Sequence, residues 1–138
     1  MMVCDWLYVE TSAALTWALG QPGGAEVGAL LHSGLELATS ELTGLEISRV
    51  LARLPLGAGE AARDPWRALE ARCLLDPVDA DLARELGRPF PQEPVRTLDA
   101  VHLATALRLR APGERVGFVA LEGRVRANAG ALGFLVLP

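Results

Sequence analysis

Four acidic residues have the type and the placement to do chemistry: Glu10, Glu46, Asp99 and Glu122. Glu10 directly follows one apolar, strand-prone run and Glu122 directly follows another. Both therefore fall where a parallel sheet exposes the carboxyl ends of its strands, the usual ligand-binding edge. Asp99 stands two residues after Thr97, the expected cap of a long helix, so its carboxylate belongs to the first helical turn. Glu46 lies on a helix that begins where another strand ends, with Leu42 and Val50 one turn away, at the border of the apolar stripe. Each acid also has a plainer use. Asp99 would complement a helix dipole, worth about 0.3–1 kcal/mol; Glu46 would pair with Arg49 or Arg53; Glu10 and Glu122 would be solvated loop acids. Convergence at one sheet edge carries the functional reading. Crowded carboxylates repel and raise one another's pKa unless a cation stands among them. An oxygen-only set suits Mg²⁺ or Mn²⁺ rather than zinc. Such an ion polarises a phosphoryl oxygen and generates hydroxide for in-line attack on a phosphodiester, so the expected class is metal-assisted hydrolysis.

The elements that must position these acids alternate. Residues 4–9 read as a strand, rich in aromatic and β-branched types. Thr11 and Ser12 are expected to cap a helix over 13–19, and a second helix runs over about 25–33. Residues 35–39 alternate at period two as a second strand; Ser40 then caps a helix over about 41–54, its stripe Leu42, Leu45, Ile47, Val50, Leu51 and Leu54. Asp64-Pro65 predicts a cap followed by proline at the first helical position, opening a helix through Trp66 and Leu69. A third strand is expected around 73–75, then a short helix capped by Asp79, a proline-enforced loop over 89–94 and the long helix over about 98–110. Residues 116–121 form the clearest buried strand, followed by a helix near 124–132 and a last strand over 134–137. Such alternation indicates an α/β fold with a largely parallel sheet covered on both faces.

The chain has 138 residues, 51% hydrophobic and 22% charged, with a net charge of −4. That suits one domain over residues 1–138 with a real core, and excludes a disordered linker. No run reaches the roughly 20 apolar residues of a membrane span. The stretch Met1–Asp5 lacks the cationic start and cleavage site of a secretory leader, so a soluble, cytoplasmic protein with no membrane partner is expected. Two cysteines, Cys4 and Cys73, in apolar runs read as inert buried thiols. All 13 basic residues are arginine, which disfavours receiver-like folds and phosphate-binding loops that need lysine. Net acidity argues against indiscriminate nucleic-acid coating but leaves room for a local patch, with Arg108, Arg110, Arg124 and Arg126 near two helix ends the candidates to track an RNA backbone. His102, one turn beyond Asp99, is able to reach the site rim; His32, Trp6, Trp17 and Trp66 read as packing residues.

Three blocks, Tyr8–Leu15, Thr39–Glu46 and Arg96–Ala106, resemble the signature blocks of PIN domains, and Val119–Glu122 with the following basic helix and Leu132-Gly133-Phe134 resembles the fourth. The chain is most similar to compact VapC-like ribonuclease toxins. The resemblance implies a three-layer α/β/α sandwich with a mainly parallel sheet, and a Mg²⁺- or Mn²⁺-dependent endoribonuclease. It places the catalytic, metal-holding acids at Glu10, Glu46, Asp99 and Glu122, with Ser12 as a supporting hydroxyl. It also implies a homodimer silenced by a small cognate antitoxin, with RNA as substrate. Two positions depart from the pattern, since Glu10 and Glu122 stand where the family usually has aspartate, and Ala120 replaces a frequent hydroxyl residue. Each extra methylene moves a carboxylate by about 1.5 Å, against a tolerance of about 0.5 Å for a productive site. The alternative reading is therefore a catalytically weakened PIN-fold protein that acts as a partner-binding module.

Overall fold

The computed structural model describes residues 4–138; residues 1–3, part of the stretch bearing on a secretory leader, lie outside it. Five strands carry the fold: β1 (Trp6–Val9), β2 (Glu36–Ser40), β3 (Cys73–Asp76), β4 (Val116–Val119) and β5 (Leu135–Leu137). All pair in parallel in the order β3-β2-β1-β4-β5, with Leu7 opposite both Leu37 and Gly117. The helices are α1 (Thr11–Ala18), α2 (Gly24–Leu31), α3 (Glu41–Arg53), α4 (Ala58–Arg72), α5 (Ala80–Glu85), α6 (Thr97–Leu109) and α7 (Gly123–Ala131).

Strand alternation sorts the core into two halves. Leu7 and Val9 of β1 point to one face, where Ala13, Val27, Ile47, Leu51, Ala62, Trp66 and Leu69 from α1 to α4 cover them. Tyr8 points to the other, among Leu103 and Ala106 of α6, Val125 and Ala129 of α7, and Phe118 of β4. The result is the expected three-layer sandwich. Gly117 is closely packed inside the sheet: a Cβ there would lie 2.6 Å from a methyl of Leu7 and 2.9 Å from one of Leu137, so those side chains would have to shift.

All five expected strands are present, and three helix starts differ from expectation. Thr11 does not cap α1; Glu10 does, accepting a hydrogen bond from the Ser12 N–H. Thr97 does not cap α6; it is the first helical residue, and Arg96 holds the cap position without a side-chain bond. Pro65 does not open a helix. Helix α4 begins after Gly57, whose φ of +93° only glycine adopts readily, and runs through Pro65. Burial of Ala62, Trp66 and Leu69 along one stripe offsets the backbone bond that proline removes. Leu45, placed in the apolar stripe of α3 by its spacing, is 64% exposed, and Leu98 at the start of α6 is 47% exposed. Among the described residues no helix is long and apolar enough to cross a membrane. Trp66 lies in the core and Trp17 packs against the same cluster, as expected. Cys4 and Cys73 are free and partly buried, and burial pushes the Cys73 thiol up to about 11.

Candidate active site

The chain leaves β1 toward β2 on one side and returns to β4 on the other, so the sheet reverses its winding between β1 and β4. A crevice opens at such a switch point beyond the strand ends. Glu10 directly follows β1, and Glu122 stands three residues past β4, as the cap of α7. Asp99 lies in the first turn of α6, and Glu46 in the middle of α3.

The inner part of the site is largely buried and tied together by hydrogen bonds. Glu10 is 5% exposed and accepts from the Ser12 backbone N–H at 2.9 Å and from the Ser12 hydroxyl. The same hydroxyl oxygen accepts from the Leu121 N–H at 3.0 Å, tying the end of β1 to the segment after β4. Burial pushes the Glu10 carboxyl above its ordinary range; nearby His102 and the Ser12 bonds pull it back, while Glu46 repels it. Oε1 of Glu46 accepts from the Thr11 hydroxyl at 2.6 Å and lies 2.8 Å from Nε2 of His102. For Glu46 burial is the largest single influence and acts upward. The bonds from His102 and Thr11 outweigh it and hold the carboxyl below the usual range.

The outer part is more open. Asp99 is pushed up by burial first and by Glu122 second, with Glu46 adding to the repulsion and His102 and Arg96 opposing it. Both oxygens of Glu122 cap α7, accepting from the N–H groups of Arg124 at 3.2 Å and Val125 at 2.9 Å. Asp99 and Glu122 share a cavity of about 340 Å³ with Pro94, Val95, Arg96 and Arg124.

The donor chemistry fits a hard divalent ion, because the four acids offer only oxygen and two are raised by burial first and by neighbouring acids besides. Their spacing is open: among the described residues no three carboxylate, histidine or cysteine groups stand close enough together to share one ion. The acids are instead linked in a chain, Glu10 to Glu46 to Asp99 to Glu122, each within electrostatic reach of the next.

The basic residues are deployed differently from expectation. Arg108 binds Asp76, Asp79 and the Pro77 carbonyl. Arg110 bonds to the Leu132 carbonyl and lies over the Phe134 ring, 4.3 Å from its centroid. Arg126 clamps the carbonyls of Ala120, Leu137 and Pro138. These three are engaged by acids and carbonyls of the fold, so the four arginines do not form one free basic face. Arg124, which donates to the Pro94 carbonyl at 2.6 Å, does line the acidic cavity, and Arg96 joins it there. Arg96 was not legible as a site residue, although its place three before Asp99 puts both on one face of a helical turn. Thr11 and Tyr8 were also missed; alternation along β1 was the available signal for Tyr8, since it must face α6 if Leu7 and Val9 face α1. His102 lies on the site's floor, 1% exposed, and not at its rim. His32 makes a local bond from Nδ1 to the Gly28 carbonyl, in keeping with a packing role.

An open, all-parallel α/β/α sheet with carboxylates from four segments lined up at its switch point defines an acid-site α/β protein. The chain belongs to the PIN domain family, whose model matches residues 7–113. It is similar to Ribonuclease VapC46 of Mycobacterium tuberculosis, with 33% identity over 131 residues and 95% of each chain covered. It is also similar to Ribonuclease VapC47 of the same species, with 31% identity over 134 residues, covering 94% of this chain and 93% of that one. Among solved structures, VapC20 of M. tuberculosis, a Sarcin-Ricin loop cleaving toxin, superposes with a TM-score of 0.67 at 22% identity, covering 96% and 99% of the two chains. VapBC2 of Rickettsia felis, bound to a promoter DNA fragment, gives 0.67 at 11% identity, covering 94% and 96%. At those identities the likeness is one of fold.

Proposed function

We propose that the chain is a toxin-type endoribonuclease that uses Mg²⁺ or Mn²⁺ to hydrolyse RNA phosphodiester bonds in the cytoplasm. The observation that carries this reading is the chain of four carboxylates from four segments, two of them raised by burial and mutual repulsion. Full-length similarity to two proteins named ribonucleases supports it. Glu10, Glu46, Asp99 and Glu122 would hold the ion by closing their side chains around it, since no three of them share one as they stand. When bound, it would neutralise the acids and supply an activated water near neutral pH.

The remaining work falls to the chain's own groups. Glu46, kept ionised by Thr11 and His102, is suited to present a charged oxygen to the ion and to orient an attacking water by hydrogen bond. Arg96 and Arg124 at the cavity edge offset the repulsion between the acids and an RNA phosphate. Ser12 holds Glu10 in place. The similarity to a chain of the VapBC2 complex supports a small antitoxin as partner, and a homodimer is proposed on the family resemblance alone.

The test is cleavage of mixed RNA by purified protein with Mn²⁺ or Mg²⁺, beside Asp99→Asn. Cleavage abolished both by chelator and by the substitution is expected. Absent cleavage together with tight binding of a co-expressed small protein would favour the partner-binding reading. That second reading draws on the open spacing of the acids and on the capping duties of Glu10 and Glu122.

A further inference from the structure

Behind the acids runs a buried relay whose parts the proposed reaction does not itself consume. The Tyr8 hydroxyl lies 2.8 Å from Nδ1 of His102, and Nε2 of the same ring lies 2.8 Å from Oε1 of Glu46 and 3.0 Å from the Thr11 hydroxyl. Tyr8 is fully buried and stacked on Phe118, with ring centroids 5.1 Å apart, and Phe118 in turn packs on Phe134. We propose that His102, locked by Tyr8, is a positioning residue that fixes the Glu46 carboxylate with Oε1 engaged and Oε2 left free for the reaction. The inference rests on the ribonuclease reading for its purpose, but its geometry stands independently of it.

Proton bookkeeping settles the end of the ring that faces Glu46. An ionised carboxylate only accepts, so the Thr11 hydroxyl hydrogen is donated to Glu46, and Nε2 carries a proton shared between Oε1 and the Thr11 oxygen. Burial keeps the Tyr8 phenol protonated. The phenol can give its proton to Nδ1 or accept one from it, and in either case the contact fixes the ring with Nε2 toward Glu46. Each member has its orientation set by the next, starting from an aromatic stack in the core that cannot rotate without opening a void. Substrate cannot reach a ring that is 1% exposed, so His102 acts only through Glu46. Its place three residues after Asp99 lets one face of α6 carry an acid at the mouth and its support for another acid at the floor.

The test uses the whole chain and three substitutions, Tyr8→Phe, His102→Gln and His102→Leu, with thermal melts establishing that each is folded. Nitrogen-15 NMR of wild type is expected to show a slowly exchanging proton on Nε2 of His102, displaced in Glu46→Gln; no such proton, or one indifferent to Glu46→Gln, would overturn the proposal whether or not RNA is cut. Calorimetry with Mn²⁺ alone is expected to show weaker binding in Tyr8→Phe and His102→Leu. In RNA cleavage, kcat is expected to fall roughly 10²-fold in His102→Leu with KM little changed, as for a misplacement of about 1 Å. Glutamine, whose amide can still donate to Glu46, is expected to recover part of that loss. Unchanged kcat and Mn²⁺ affinity in folded Tyr8→Phe and His102→Leu would overturn the assignment, as would glutamine behaving no better than leucine. Wild type that cuts no RNA but shows the Nε2 proton coupled to Glu46 would remove the ribonuclease reading and leave the positioning role standing.

Discussion

The Leu121 N–H donates to the hydroxyl oxygen of Ser12 across 3.0 Å, while that hydroxyl donates in turn to Glu10. One side chain thus joins the ends of the two central strands on either side of the crevice and holds the first acid. Ser12→Ala leaves the Leu121 N–H without this partner, which costs about 1 kcal/mol. It also removes a donor that pulls the Glu10 carboxyl down, so RNA cleavage should fall along with stability. Paired thermal melts and cleavage rates check both.

Asp99→Asn removes a charge that burial and Glu122 disfavour. The folded carboxyl binds protons more tightly than the unfolded one, so wild-type stability falls as pH rises from the ordinary carboxylate range through the raised folded value. The variant should therefore melt slightly higher than wild type near neutral pH and equally in acid, while losing about 10²-fold or more in cleavage. Melting curves across pH 3–8 show whether the gap closes on the acid side, as this sign requires.

Glu46 should behave in the opposite sense. Its folded carboxyl is held low by His102 and Thr11, so its contribution is present above the ordinary carboxylate pKa and is lost as pH falls through the folded value. Glu46→Gln is expected to destabilise at neutral pH and to converge on wild type in acid. A constant difference at all pH values would count against the hydrogen-bonded, ionised Glu46.

Glu10 and Glu122 both cap helices, and aspartate caps at least as well. The double variant Glu10→Asp/Glu122→Asp should keep its melting temperature while withdrawing both carboxylates toward the backbone. An increase in cleavage of roughly tenfold or more is expected, measured under identical Mn²⁺ concentrations. No increase would mean that the backbone has already settled around the longer side chains.

Gly117→Ala tests the sheet rather than the site. The added methyl meets Leu7 and Leu137 inside normal contact distance. Overpacking of this kind costs about 1–3 kcal/mol, read as a lower denaturation midpoint in urea.

Much of this was legible along the chain. Apolar runs and turn residues are local signals, so all five strands, the parallel α/β class and the placement of Glu10, Asp99 and Glu122 at strand or helix ends could be read from residue order. Helix starts were less legible. Thr11 and Thr97 look like caps by type, but capping depends on where the backbone turns, and the turn falls one residue earlier in each case. The Pro65 start failed because a buried stripe on both sides of a proline can carry a helix through it.

Partner choice was decided only in three dimensions. Spacing offered Glu46 the arginines one and two turns away, Arg49 and Arg53, yet it took His102, 56 residues distant, and Thr11. Arg108, Arg110 and Arg126 looked free by composition and are held by acids and carbonyls brought to them by the fold. The physical reason is that periodicity states which face of an element is buried, whereas a hydrogen bond needs a donor and an acceptor within about 3 Å. That distance between remote segments is set by how α3 and α6 settle against the sheet, a property of the packed whole and of no stretch of sequence alone.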